Sequence, residues 1–129
     1  MANYSTPLRD MRFVYNELFD AEAIRALPGC EEVTPDLVDA ILEEAGRFCE
    51  ERLFPLNRSG DEEGCRFENG QVTTPAGLKE AYRDFNEMGW GALAADPEYG
   101  GQGLHNVISM MAEDRKSTRQ LQSRGHLVC

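Results

Sequence analysis

Apolar residues recur along this chain at helical intervals, and proline and glycine break the pattern at a few sharp points. Leu8, Met11, Val14 and Leu18, with Phe13 and Phe19 beside them, predict a helix over 8–19. Ala21 to Leu27 continues it as a second short helix, which Pro28-Gly29 ends. Thr34-Pro35-Asp36 is a helix start: the hydroxyl caps free amides, proline fits the first turn, and the acid suits the positive end of the dipole. The helix it opens runs to about Phe54. Leu37, Ile41, Ala45 and Phe48, flanked by Val38, Leu42, Cys49 and Leu53, form its apolar stripe, and Asp39, Glu43, Glu44, Arg47, Glu50 and Glu51 form its wet face. Pro55 is expected to stop it.

Asn57 to Gln71 reads as a solvated loop, with Phe67 and Val72 paired in a short hairpin around Asn69-Gly70. Thr74-Pro75 repeats the earlier start signal and opens a helix carrying Leu78, Ala81, Tyr82, Phe85 and Met88, which Gly89 ends. From Trp90 to Leu104 the chain reads WGALAADPEYGGQGL. Asp96-Pro97 turns it, and Gly100, Gly101 and Gly103 admit backbone conformations or approaches that a side chain would block. This is a tight connection with Glu98 and Tyr99 at its tip. Leu104 then opens a last helix, with Val107, Ile108, Met110 and Met111 inward and the pair Glu113-Asp114 near its middle. The pattern predicts an all-α domain, a small bundle of four or five helices.

Candidate chemistry is thin. A glycine-rich loop can cradle phosphate, but G-G-x-G follows a helix rather than a strand and lacks both the G-x-G-x-x-G order and the Lys-Ser/Thr of a P-loop. Asn57, Ser59, Asp61, Glu63 and Glu68 fall in a calcium-loop register, yet Glu62 stands where a glycine must make the turn. Cys30, Cys49, Cys65 and Cys129 include no close pair, and there are two histidines, so no zinc site is expected. The acids of the long helix read as a solvated face.

Composition narrows the partners. A net charge of −10 over 129 residues argues against nucleic acid and anionic membranes. No apolar run reaches the roughly 18 residues of a membrane span. The N-terminus shows no signal or transit character, so a cytoplasmic location is the simplest expectation. The charge is uneven. Residues 1–114 hold 9 basic and 23 acidic side chains, a net of 9 − 23 = −14, whereas 115–129 hold four basic residues and no acid.

GWGALAADPEYGGQGL resembles the first signature of the flavin-dependent acyl-CoA dehydrogenases, a GW-x-G passage followed by PE and YGGxG in their N-terminal helical domain. TPLRDMRFVYNELFD at Thr6 to Asp20 and the stretch from Pro55 to Tyr82 are similar to a long subgroup of that family. The resemblance implies an N-terminal extension over 1–33 and the family's helical domain over 34–114. It implies FAD, an acyl-CoA substrate, an electron-transferring flavoprotein and a homo-oligomer for the whole enzyme. The flavin and the catalytic glutamate belong to later domains, so this chain alone is expected to bind no FAD and to hold no catalytic, cofactor-binding or metal-ligating residue. Trp90, Pro97, Gly100, Gly101 and Gly103 are then structural, and Glu113 and Asp114 stand where some members line the acyl-chain channel. Charge, patterning and resemblance all break after Asp114. Residues 115–129 are therefore expected to be a divergent basic tail from a frameshift or cloning junction, not packed on the domain. The competing reading is a small acidic helical module that binds a partner protein. A severed domain is expected to leave an apolar patch along its last helix, and a module to have balanced faces.

Overall fold

A computed structural model describes residues 4–113. Asp114 and the basic tail fall outside the described residues. The all-α expectation holds, with one small hairpin added. Helix α1 (Leu8–Phe13) runs into a π-helical turn, Val14–Leu18, and α2 (Ala21–Arg25) follows. Helix α3 (Pro35–Phe48) is the spine, and it passes through a second π turn, Cys49–Leu53, into α4 (Phe54–Glu63). Strands β1 (Arg66–Glu68) and β2 (Gln71–Thr73) pair antiparallel. Helix α5 (Leu78–Glu87), the glycine-lined connection and α6 (106–113) complete the order.

Thr34 caps α3 as its sequence predicts: its hydroxyl accepts from the Leu37 amide at 3.2 Å, with Pro35 in the first turn. The buried side of α3 is Val38, Leu42, Ala45, Gly46 and Phe48, followed by Cys49. Leu37, expected on this stripe, lies on its edge and is exposed. Two apolar clusters sit along the spine. Tyr15, Val33, Val38, Leu42 and Ile108 make one, and Ala45, Phe48, Trp90 and Leu93 the other. Ile41 and Leu104 touch both, so the core is continuous. The N-terminal segment reaches the spine through Thr6, whose amide donates to Glu50 Oε1 at 2.6 Å. A Cβ on Gly46 would sit 2.8 Å from Thr6 Cγ2, so glycine here is a docking notch within a helix. Arg12 ties α1 to α3 by donating to Asp39 at 2.9 Å and to Glu43.

Several expectations are corrected. Pro55 does not end the long helix. The Phe54 amide bonds Cys49 O, five residues back, so the chain widens into a π turn just before the proline. Pro55 then occupies the first turn of α4, where its missing N–H and fixed φ cost little. Asn57 to Glu63 is accordingly helical rather than loop, which puts Asp61 and Glu63 of the calcium register on different sides of α4 and leaves Glu68 on β1. The hairpin forms in the expected register, Phe67 opposite Val72, with Asn69 and Gly70 both at positive φ. Thr74-Pro75 does not start α5. Pro75 is buried, Gly77 is the N-cap at φ 81, and the helix begins at Leu78. Leu78, Tyr82 and Met88 are exposed on α5, while Ala81 is buried.

Candidate functional site

The connection from Trp90 to Leu104 is the most constrained passage in the chain. Gly89 ends α5 at φ 76, and a 3-10 turn, Trp90–Ala92, carries Trp90 onto Ala45 and Phe48 of α3, beside Leu93. Trp90 is buried, and its indole N–H has no hydrogen-bond partner among the described residues. The Asp96 carboxylate accepts from the Glu98 amide at 2.8 Å and opens a second 3-10 turn, Pro97–Tyr99. Gly100 at φ 85 reverses the chain. The returning strand then lays its amides on the outgoing one. Gly101 donates to Asp96 O at 3.0 Å, Gln102 to Ala92 O at 3.1 Å, Gly103 to Ala95 O at 2.9 Å and Leu104 to Leu93 O at 2.9 Å.

This geometry decides what the glycines are for. A Cβ on Gly101 would collide with the carbonyl of Ala95 and reach 2.6 Å from its Cβ. Gly103, at φ 64, packs against Pro97, and a Cβ there would approach the ring to 3.1 Å. Tyr99 and Gly100 donate to Asp96 O and Pro97 O, so every amide from Glu98 to Leu104 is engaged inside the loop. A phosphate cradle needs free amides that converge on an anion. None remains, and the same count leaves nothing here to hold a flavin pyrophosphate. The loop is a clasp, and Trp90, Pro97, Gly100, Gly101 and Gly103 all act in it.

The acidic pair expected near the channel is only partly in view. Glu113 is exposed on α6, and Asp114 lies outside the described residues. Ile108 is fully buried on that helix, while Met110, expected inward, is exposed. Leu104 does not open α6. His105 precedes it, and its Nδ1 accepts from the Val107 amide at 3.2 Å. Sequence reasoning missed this cap because histidine is not among the usual capping residues. Among the described residues of α6, Met110 is the one large exposed apolar side chain, not the continuous patch expected of a severed domain. Other large exposed apolar side chains lie at Phe13, Leu18, Phe19 and Leu27 of the N-terminal segment, Leu37 of α3, Phe67 and Val72 of the hairpin, Leu78, Tyr82 and Met88 on and just after α5, and Tyr99. Among the described residues no three His, Cys, Asp or Glu side chains converge on a metal, and no helix is long and apolar enough to cross a membrane.

The glycine-rich clasp of this small helical domain is locked onto its longest helix. The sequence profile described as acyl-CoA dehydrogenase, N-terminal domain, matches residues 36–119, and the chain belongs to that family. It is 42% identical over 111 residues to 3-methylmercaptopropionyl-CoA dehydrogenase of Ruegeria pomeroyi, covering 86% of this chain and 19% of that protein. It is 31% identical over 98 residues to butyryl-CoA dehydrogenase of Syntrophomonas wolfei subsp. wolfei, covering 73% of this chain and 16% of that protein. The chain thus spans less than a fifth of the length of either relative.

Proposed function

We propose that this chain is the N-terminal helical part of an acyl-CoA dehydrogenase. The complete enzyme would use FAD to dehydrogenate an acyl-CoA to the enoyl-CoA, pass its electrons to an electron-transferring flavoprotein, and work as a homo-oligomer. Residues 1–33 form an extension, 34–114 the family's helical domain, and 115–129 a divergent tail. The piece contributes packing surface and one wall of the substrate channel, with Glu113 and Asp114 at its edge, and performs no chemistry alone. The observation that carries this reading is the clasp. It coincides with the family's signature, and its backbone amides are spent on structure. The bland alternative, an acidic partner-binding module, accounts for neither fact.

Two measurements test it. The 129-residue chain, purified alone, should be colourless and should not reduce an electron-acceptor dye with butyryl-CoA. A flavin absorbance band that survives gel filtration would refute the claim of inactivity. Residues 4–113 should also replace the matching segment of the Ruegeria pomeroyi relative. A folded, flavin-loaded chimera with no dehydrogenase activity would contradict the channel-wall role.

A further inference from the structure

A cavity of about 340 Å³ opens between the π turn after α1, the start of α2 and the Val33–Pro35 turn. Every residue lining it precedes the stretch that matches the family's helical domain. We propose that this cavity binds a small zwitterionic aminocarboxylate, held at its carboxylate by Arg25 and Tyr15 and at its ammonium by Asp20 and Glu22.

The polar groups of the lining are unspent. Tyr15 is 2% exposed, yet its hydroxyl makes no hydrogen bond among the described residues. The hydroxyl oxygen keeps contact with solvent rather than being sealed in, so it is open to a ligand. Arg25 lies close enough for its charge to act on that phenol, and it has no ion pair among the described residues. Together they offer a planar, charged donor and a neutral O–H donor, the pairing that suits a carboxylate. Asp20 spends one oxygen on the Ala23 amide at 3.2 Å, and Glu22 has no ion pair among the described residues. Val33 and Pro35 supply apolar wall.

The balance of charge selects the ligand. A simple anion would meet Arg25 but also two carboxylates. A simple cation would leave Arg25 and the phenol unanswered. A molecule carrying both charges a few bonds apart satisfies each group, and the volume lies at the lower end of the roughly 300–1,000 Å³ of small-molecule pockets.

The test is a titration of the full chain followed by amide NMR signals of residues 21–25, using L-valine, isovalerate and isobutylamine as probes. Valine should give saturable shifts in the millimolar range. Each half-probe lacks one charge and should bind at least about tenfold more weakly, the scale of a lost hydrogen bond to a charged group. Tyr15→Phe keeps the ring and Arg25→Gln keeps much of the stem. Both should stay folded and weaken valine binding by about tenfold or more. Absence of saturation by valine overturns the proposal. So does equal binding of either half-probe, or wild-type affinity in both folded variants.

Discussion

Replacing Gly101 by alanine puts the physical reading of the clasp at risk. The added methyl group would collide with the Ala95 carbonyl, a backbone group that cannot swing away as a side-chain tip can. Overpacking of this kind costs about 1–3 kcal/mol. Relief requires the returning strand to lift, which loosens the amide bonds of Gln102, Gly103 and Leu104 to Ala92, Ala95 and Leu93. Each is worth about 1 kcal/mol net, so a total near 3 kcal/mol is expected if part of the ladder survives. For a domain near 100 residues, each kcal/mol moves the melting temperature by about 4–8 °C, so Gly101→Ala should melt about 12–24 °C below the parent. Gly91→Ala is the control, since its Cβ would sit 3.5 Å from the Phe85 ring at an ordinary backbone conformation. It should change stability by no more than about 0.5 kcal/mol. Thermal melts followed by far-ultraviolet circular dichroism read both variants. If Gly101→Ala melted within about 3 °C of the parent, the close approach would not be a constraint and the clasp argument would fail.

Thr34→Ala removes the cap on α3 and should cost about 1 kcal/mol in urea unfolding, with Thr34→Ser restoring most of it. The Tyr15 phenol is held above its ordinary pKa of 10.0, first by burial and then by the neighbouring Cys30, against the pull of Arg25. The folded state therefore keeps this proton longer than the unfolded chain does. The stability it confers is complete below pH 10 and is lost as pH rises through the folded value, so melts taken above pH 10 should fall less steeply with pH in Tyr15→Phe than in the parent. Arg12 is raised above its ordinary value chiefly by its hydrogen bond to Asp39, then by that to Glu43, and it stays charged throughout the working range. Its pairs are exposed, so Arg12→Gln should lower the melting temperature slightly in dilute buffer, and the difference should vanish in molar salt, where charges are screened beyond about 3 Å.

Where one residue sets the local chemistry, the sequence was readable. The Thr34-Pro35 start, the Asn69-Gly70 turn and the glycine at the end of α5 all depend on near neighbours. What escaped depends on distant ones. Pro55 looks like a stop because local sterics say so, but a widened turn ahead of it absorbs the clash, and no nearby residue announces that widening. Thr74-Pro75 copies the pattern of Thr34-Pro35, yet Pro75 is buried and the helix starts at Leu78, after Gly77. Leu37 sits one position and Met110 two positions from a buried neighbour, and periodicity does not resolve which side of the step turns inward. The candidate site shows the same split. The glycines were expected to be structural from their spacing alone, whereas the bond ladder around them, from Gly101–Leu104 back to Ala92–Asp96, has no local signal. The cavity beneath Tyr15 carries no motif at all, because its lining is brought together by a sharp reversal at Asp20 and by the packing of Val33.

The first cluster joins Tyr15 near the start of the described chain to Ile108 near its end. On a ribosome adding about 5–20 residues per second, Ile108 follows Tyr15 into the growing polypeptide by about 5–20 s. Through that interval the paired helices α1 and α2 have α3 to lean on but lack the residue that seals them. The nascent domain therefore emerges with an open seam of Tyr15, Val33, Val38 and Leu42. Its closing step waits for the clasp to deliver α6, which makes the segment around Gly101 a determinant of when the chain becomes safe from aggregation as well as of how stable it is afterwards.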